Sequence, residues 1–189
     1  MKEEELLNKK ERSSMIEVVQ PEDAAGIAHV RNMTWLATYP NPSAEAGVTR
    51  EDILTKEFES EEQINRWRTG IEDKTGMRKI WVARNEHREV VGYSQGKKGE
   101  TENELWGLFV LPDQQGKGLG RDLMKAALDW LGDEKNVTLS VAEYSISAIN
   151  LYKKFGFEEV NEVASGPSFP SGNVIPSIKM IRPIPVYSP

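Results

Sequence analysis

The segment from Leu108 to Met124 limits the possible folds and functions of this chain more than any other. An apolar run is followed by a loop with glycine at three alternate positions, and an amphipathic helix begins directly after that loop. Gly116, Gly118 and Gly120 permit positive φ angles and let the backbone approach a ligand closely. The first turn of the helix offers unpaired N–H groups and the positive end of its dipole, so the loop is predicted to bind phosphate.

Two common phosphate-binding motifs do not match this loop. A P-loop requires Gly-Lys followed by serine or threonine, whereas Lys117 is followed by Gly118. A dinucleotide-binding fingerprint requires the spacing G-x-G-x-x-G after a strand in a βαβ unit, and here the third glycine comes one residue too early. The pattern that remains is Q-x-x-G-x-G, from Gln115 to Gly120. A glycine-rich connection that binds no ligand is the alternative interpretation.

Hydrophobic periodicity along the rest of the chain predicts one α+β domain. Strands are predicted over residues 15–19, 80–83, 90–95, 105–111, 137–141, 157–164 and 174–181. Helices are predicted over residues 24–39, 50–67, 119–131 and 147–155. The second of these helices is predicted to be continuous and to turn inward the side chains of Ile53, Leu54, Phe58, Ile64 and Trp67. Residues 1–14 are highly charged and are expected to form a flexible arm, which leaves 15–189 as the single domain.

Composition excludes several classes of site and partner. The 189 residues include no cysteine and only two histidines, which argues against a disulfide framework, a cysteine nucleophile and a metal site. No apolar run is long enough to span a membrane and no secretory signal is visible, so a cytoplasmic protein is expected. The net charge of −6 disfavours nucleic acid as the main partner and suits a cationic substrate. The oligomeric state stays open between a monomer and a homodimer.

A second pattern lies in the segment after the fifth predicted strand. The pieces Ala148-Ile149, Leu151-Tyr152 and Phe155-Gly156-Phe157 match a signature that reads Asn-x-x-Ala-hydrophobic-x-hydrophobic-Tyr-x-x-x-Gly-Phe. With Q-x-x-G-x-G upstream, at the expected spacing, the chain resembles the GNAT superfamily of Gcn-related N-acetyltransferases, most strongly over about residues 80–160. One position departs from the signature, because its asparagine falls on Ser145, which lacks the paired donor and acceptor groups of an amide.

The resemblance implies a fold, a co-substrate and a reaction. The fold has α/β/α layers, with a central mixed, mostly antiparallel and twisted sheet of about seven strands, splayed between the fourth and fifth strands. Acetyl-CoA is the implied co-substrate, and the acetyl group passes directly to a primary amine in a ternary complex. The expected acceptor is a small-molecule amine such as a polyamine or amino compound. A protein N-terminal or lysine acetyltransferase and a non-catalytic acyl-CoA sensor are the alternatives.

The resemblance also assigns roles to residues around the glycine loop. The main-chain amides from Gln115 to Arg121 are expected to bind the pyrophosphate of coenzyme A, and the N–H of Val110 is expected to bind the thioester carbonyl. The full set of expected cofactor contacts is Leu108, Phe109, Val110, Gln115, Gly116, Lys117, Gly118, Leu119, Gly120, Arg121, Ser145, Ala148 and Tyr152. Tyr152 is also the expected general acid for the leaving thiolate, with a core tyrosine as the alternative.

Two carboxylates are candidates for accepting the amine proton. Glu104 begins the third strand of the meander, where many members of the superfamily carry a glutamate that acts directly or through water. Period-2 alternation predicts that Glu104 shares a face with Trp106, Leu108 and Val110. Glu143, just past the fifth strand, is the second candidate, or a group that attracts a cationic acceptor. A solvated strand-end carboxylate is the alternative for Glu104.

The acceptor site is expected beside the first helix. Arg31, Trp35 and Tyr39 lie on or just after this helix, in the region that walls the acceptor site in the superfamily. Trp35 and Tyr39 are expected to enclose an aliphatic amine or to stack on a cation, and packing of Trp35 against the sheet is the alternative. Trp81 and Trp106, both on strands, are interpreted as core or site-wall residues.

Overall fold

The computed structural model describes residues 16–41, 47–72, 74–164 and 166–185, which form one mixed sheet with helices on both faces. The strands are β1 (Ile16–Val18), β2 (Arg78–Arg84), β3 (Val90–Lys97), β4 (Asn103–Val110), β5 (Val137–Ala142), β6 (Glu158–Ala164) and β7 (Ser177–Arg182). The helices are α1 (Ala24–Thr38), α2 (Arg50–Leu54), α3 (Glu61–Ile71), α4 (Leu119–Leu131) and α5 (Ile146–Lys154). The predicted α+β fold is confirmed, and the predicted N-terminal arm lies outside the described residues.

The strand order is β1-β2-β3-β4-β5-β7-β6, and β4 and β5 pair in parallel while the other neighbours pair in antiparallel. β4 and β5 separate after two paired positions, Asn103 with Val137 and Glu104 with Thr138. β5 pairs along its whole length with β7, so the separation leaves β4 with an open edge. The predicted splay between the fourth and fifth strands is therefore confirmed, and it exposes backbone hydrogen-bonding groups in the middle of the sheet.

Helices cover both faces of the central strands. On one face α4 lies close to β3, and Ser94 Oγ on the strand donates a hydrogen bond to the carbonyl oxygen of Leu123 on the helix at 3.0 Å. A side chain at Gly92 would force a shift, since its Cβ would come within 2.9 Å of the Phe109 carbonyl oxygen and 3.2 Å of Leu123 Cδ1. On the other face α1 and α3 pack against the sheet, and the rings of Trp67 and Tyr93 meet edge to face at 5.5 Å. The sheet is thus the middle of three layers.

The continuous helix predicted over residues 50–67 is wrong. The chain forms α2 and α3 instead, and the side chains of Thr49 and Ser60 each accept a hydrogen bond from the first turn of their own helix. Between the two helices Glu57 has a φ of 46°, in the left-handed region that a helix cannot include. Leu54 was predicted to face inward but is 51% exposed. The prediction applied one helical period to the whole segment, and that period does not hold across the break.

Asp52 anchors the segment between β6 and β7 onto α2. Its carboxylate accepts hydrogen bonds from Ser171 Oγ at 2.6 Å, from Asn173 Nδ2 at 2.8 Å and from the Thr49 N–H at 2.9 Å. These donors, led by Ser171 and Asn173, lower the pKa of Asp52 to about 2. The anchored segment becomes a wall beside the sheet.

We expect Asp52→Asn to lower the melting temperature at neutral pH, because an amide group would face the donors of Ser171 and Asn173. The folded pKa of about 2 lies below that of an unfolded aspartate. The ionised carboxylate therefore stabilises the fold above about pH 4, and this contribution is lost as the pH falls from about 4 to about 2. Thermal unfolding from pH 7 to pH 2 should show the gap between wild type and variant closing in that window, with the exposed Glu51→Gln as control. A gap that stays constant down to pH 2 would contradict the assignment.

Candidate active site

A cavity of about 800 Å³ opens beside the exposed edge of β4, and it is called the loop cavity because the glycine loop lines it. Every residue predicted to contact the cofactor lines this cavity except Lys117. Lys117 is exposed, and its Nζ donates to Gln114 Oε1 at 2.9 Å. The loop cavity is also lined by residues that were not predicted to contact the cofactor, among them Thr34, Thr38, Tyr144, Ile146, Leu151 and Lys154.

The glycine loop has the conformation of an anion-binding site. Gly116 and Gly118 have φ angles of 77° and 89°, in the left-handed region that favours glycine. The five consecutive backbone amides from Gly116 to Gly120 make no hydrogen bond to any described residue. Gln115 fixes the loop to the end of β4, because its Nε2 donates to the Val110 carbonyl oxygen at 3.0 Å. Unpaired amides at a helix N-terminus attract a negatively charged oxygen.

The N–H of Val110 points to the open edge of β4. The next residue, Leu111, donates its N–H to the Val91 carbonyl oxygen on the β3 side at 2.9 Å. Successive N–H groups of a strand point to opposite edges, so the N–H groups of Val110 and Leu108 face the splay. This strand edge can bind an extended ligand by backbone hydrogen bonds.

Tyr152 places a phenol at the wall of the loop cavity. Its side chain is 7% exposed and packs beside Phe157, with ring centroids 6.0 Å apart. Burial raises the pKa of Tyr152 well above that of a free phenol, and the nearby Tyr39 raises it further. The hydroxyl has no hydrogen-bond partner in the described parts of the chain. It is therefore a protonated donor at the cavity wall.

A second cavity, of about 690 Å³, lies between the sheet, α1, α3 and the segment before β7, and it is called the aromatic cavity. Its lining includes three of the four residues predicted to bind the acceptor, Arg31, Trp35 and Tyr39, together with Glu104. The two cavities share six lining residues and so meet at the splay: Tyr39, Leu105, Trp106, Gly107, Phe109 and Ser140.

A β-bulge at Trp106 decides which cavity Glu104 faces. Gln95 pairs with Gly107 but Gly96 pairs with Leu105, so Trp106 is an extra residue in β4. Trp106 is 55% exposed and lines both cavities, whereas Trp81 is buried in the core. Core and site wall were the two interpretations of these tryptophans. Trp81 is a core residue, and Trp106 is a site-wall residue.

The bulge reverses the alternation of side chains along β4. Glu104 pairs with Lys97 and thus lies on the face of Phe109, towards α1 and α3. The prediction that Glu104 shares a face with Leu108 and Val110 is wrong, since a period of two holds only in a strand without a bulge. The Glu104 carboxylate is half-buried, and it makes no ion pair or hydrogen bond within the residues that the structure describes.

Arg31 is the cation that stacks on Trp35. Its Cζ lies 4.7 Å from the ring centroid of Phe58, 5.2 Å from that of Trp35 and 6.0 Å from that of Trp67. The chain thereby supplies its own guanidinium to this cluster of rings. A substrate cation would have to bind elsewhere in the aromatic cavity.

Tyr39 stands between the two cavities. Tyr144 fixes the chain here, because its hydroxyl donates to the Tyr39 carbonyl oxygen at 3.0 Å. Burial raises the pKa of Tyr39 to about 12, and the nearby Tyr144 raises it while the positive charge of Arg31 opposes the shift. Tyr39 is therefore a neutral hydrogen-bonding group where the cavities meet.

The model of the family described as Acetyltransferase (GNAT) family matches residues 36–157. The chain belongs to this family. The match covers the glycine loop, the second signature segment, the splayed strands and Tyr39, and it begins after Arg31 and Trp35. The family resemblance expected from the two motifs is thus confirmed.

Two curated relatives of this GNAT chain are similar over part of their lengths. The spermine/spermidine N(1)-acetyltransferase of Bacillus subtilis (strain 168) is 42% identical over 53 residues, which are 26% of this chain and 35% of that protein. The peptidyl-lysine N-acetyltransferase YjaB of Salmonella typhimurium (strain LT2) is 32% identical over 101 residues, 51% of this chain and 63% of that protein. The chain thus spans less than two thirds of the length of these relatives.

Among solved structures, the GNAT chain is similar to the PaiA N-acetyltransferase of Thermoplasma acidophilum in complex with coenzyme A. The TM-score is 0.62 at 20% identity, covering 89% of this chain and 98% of that chain. At this level of identity the likeness establishes the fold.

Two predicted residues of the GNAT chain occupy contrasting places. Glu143 is exposed and belongs to the lining of neither cavity, and its backbone N–H donates to the Pro176 carbonyl oxygen at 3.0 Å. Ser145 lines the loop cavity at the N-cap of α5, and its side chain makes no capping hydrogen bond. The side chain that replaces the signature asparagine is thus available to a ligand.

Sequence reasoning missed several polar residues of the aromatic cavity. Arg78, Tyr93 and Gln95 line it from β2 and β3. Alternation along β3 places Tyr93 and Gln95 on the same face of the sheet. The sequence does not show that α1 and α3 cover this face, so it could not assign the two residues to the cavity. Gln63 and Arg66 lie on α3. They were missed because the sequence predicted one long helix instead of two separate ones.

In the described ranges no helix is long and apolar enough to cross a membrane. The same ranges contain no group of three or more His, Cys, Asp or Glu side chains that is placed to hold a metal ion.

Proposed function

We propose that this chain is an N-acetyltransferase that transfers the acetyl group of acetyl-CoA to a primary amine of a small molecule. The observation that carries the proposal is the meeting of two cavities at the splay between β4 and β5. One cavity contains the amides of the glycine loop and the other contains the carboxylate of Glu104, and neither group has a partner among the residues that the structure describes. Thioester and amine would approach each other from opposite faces of the sheet.

The glycine loop fits the pyrophosphate of coenzyme A. Its five unpaired amides and the first turn of α4 supply donors and a positive dipole end, and Arg121 adds a positive charge to the same wall. The open edge of β4 then offers strand-like hydrogen bonds to the amides of the pantetheine arm. The N–H of Val110, which faces the splay, is suited to polarise the thioester carbonyl. The complex of a neighbour with coenzyme A supports this assignment.

The amine must lose a proton before it attacks, since a primary alkylamine is protonated near neutral pH. Glu104 is the candidate acceptor of that proton, directly or through water, because it lines the acceptor cavity and has no partner among the described residues. Glu143, the second candidate, lies outside both cavities. The placement favours Glu104.

The thiolate that leaves must receive a hydrogen bond and then a proton. Tyr152 lines the loop cavity, and the raised pKa keeps its hydroxyl protonated over the whole range in which the enzyme would work. Transfer of the acetyl group then needs no covalent enzyme intermediate: the amine nitrogen forms the amide bond as the carbon–sulfur bond breaks.

The shape of the aromatic cavity favours a small acceptor. The relatives are named for spermine, spermidine and peptidyl-lysine, so their names do not decide between a small molecule and a protein. In this chain α3 and the segment anchored by Asp52 wall the cavity on two sides, leaving about 690 Å³. That volume is typical of small-molecule sites. Release of coenzyme A with an amine panel, a lysine peptide and no acceptor distinguishes this function from the protein acetyltransferase and the sensor.

We expect Gly118→Ala to weaken acetyl-CoA binding by about tenfold or more, because a φ of 89° costs an alanine about 1–2 kcal/mol and the loop would relax. Gly132→Ala is the matched control, since Gly132 also has a positive φ, 74°, but lies at the far end of α4. Titration calorimetry should show weakened binding only for the loop variant. Equal affinities for acetyl-CoA in the two variants would exclude the loop as the pyrophosphate site.

Tyr152→Phe is expected to lower kcat by about 100-fold or more, because the thiolate loses its proton donor. The affinity for acetyl-CoA should change much less, since the phenyl ring still fills the cavity wall. Steady-state kinetics and calorimetry on the same preparation separate the two effects. An unchanged kcat would remove Tyr152 from the mechanism.

The two candidate bases make a matched pair of variants. Glu104→Gln is expected to reduce kcat/KM by about 100-fold at neutral pH, because the neutral amide cannot accept the amine proton. Glu143→Gln should leave kcat/KM within about twofold of wild type, since that side chain is outside both cavities. The reverse ranking, with the larger loss at Glu143, would reject Glu104 as the base.

A further inference from the structure

The charge of the aromatic cavity does not match a polyamine. Three guanidinium groups line it, those of Arg31, Arg66 and Arg78, against one carboxylate among the described residues, that of Glu104. Arg66 is exposed and paired with Glu62 at 2.6 Å, and Arg78 stacks on Trp106 at 5.1 Å. The charge of Arg66 is balanced by Glu62 and Arg78 is exposed to solvent, so the half-buried Arg31 is the main positive charge that a substrate with several ammonium groups would meet here.

Among the described residues, Arg31 has no counter-ion. Three aromatic rings contact its guanidinium, but a ring interacts with the positive charge and leaves the N–H donors unsatisfied. Its Nε is buried without a hydrogen-bond partner, and no carboxylate of the described chain lies within ion-pair distance. A donor of this kind, buried and unpaired, costs free energy that a bound anion would recover.

A second unsatisfied donor lies one helical turn further along α1. Trp35 is 5% exposed and lines the same cavity, and its Nε1–H is buried without a partner in the described ranges of the chain. Residues four apart on a helix share one face, so both donors belong to the same wall of the cavity. These unpaired donors, together with the other N–H groups of the Arg31 guanidinium, favour an anionic ligand such as a planar carboxylate at this wall.

We propose that the acceptor is an amine that also carries a carboxylate, which Arg31 and Trp35 bind while the amino group faces Glu104. This inference rests on the proposed acetyltransferase function and narrows its substrate class to amino acids and similar amino carboxylates. It sets the chain apart from the polyamine chemistry named for one of its relatives. The aromatic ring cluster then holds the recognising arginine in place, and no ring of it is needed for the substrate ammonium.

The test compares amino acids with their own carboxamides, which keep the amine and lose the negative charge. Binding to the full chain saturated with coenzyme A is measured by calorimetry, and kcat/KM is measured with acetyl-CoA. We expect at least one amino acid to bind about 10- to 100-fold more tightly than its amide, and to exceed spermidine in kcat/KM. An amide that binds as tightly as its amino acid for every pair, or a preference for spermidine, would overturn the proposal.

Variants test which side chains produce the preference for an amino acid over its carboxamide. Arg31→Met keeps the aliphatic stem and should abolish the preference through KM with little change in kcat, while Trp35→Phe keeps a ring and should reduce it. Arg68→Met, on the exposed side of α3, is the control and should keep the preference. A preference that survives in Arg31→Met would reject the assignment.

The calorimetric binding measurements distinguish a failure of this inference from a failure of the proposed function. If no amine is acetylated although amino acids bind more tightly than their amides, the acetyltransferase function fails and the carboxylate site stands. If amines are acetylated without regard to a carboxylate, the function stands and the carboxylate site fails. The comparison of matched ligands on wild-type protein decides this even if an Arg31 variant does not fold.

Discussion

The separation of β4 from β5 is the constraint on which the rest of the candidate site depends. Backbone N–H and C=O groups in a sheet are normally paired, and leaving them unpaired in the interior is costly. Here two paired positions hold the strands together and the rest of the β4 edge is open. β7 satisfies the far side of β5, and Gln115 satisfies one carbonyl of β4. The remaining groups are open to water or to a ligand that can form hydrogen bonds along the strand.

The open edge also explains why the two cavities communicate. Strands that stayed paired would separate the glycine loop on one face from Glu104 on the other. Because the sheet opens, six residues belong to both cavities, and Tyr39 stands at their junction. The structure thus provides a passage through a sheet that is otherwise covered by helices on both sides. A reaction between two ligands bound on opposite faces is the chemistry that such an opening permits.

The walls of the aromatic cavity are held by polar contacts of a different kind. Asp52 binds the segment before β7 through Ser171 and Asn173, and this segment closes one side of the cavity. Arg31 stacks within a ring cluster supplied by α1, α3 and the turn between α2 and α3. The guanidinium is thereby fixed in position but left with unused donors. That combination of rigidity and unsatisfied hydrogen bonding is typical of groups that recognise a ligand.

The family, the strand–loop–helix unit and about half of the residues around the loop cavity could be predicted from the sequence alone. These predictions rest on residues that are close together in the chain, such as the alternate glycines directly before α4. A local sequence pattern was therefore sufficient. The sequence did not determine where α2 ends, which face Glu104 occupies or what stacks on Trp35. The first depends on a left-handed residue at Glu57, the second on a bulge at Trp106, and the third on rings from three separated segments. These outcomes depend on pairing and packing between distant parts of the chain, which a periodic pattern in one segment does not contain.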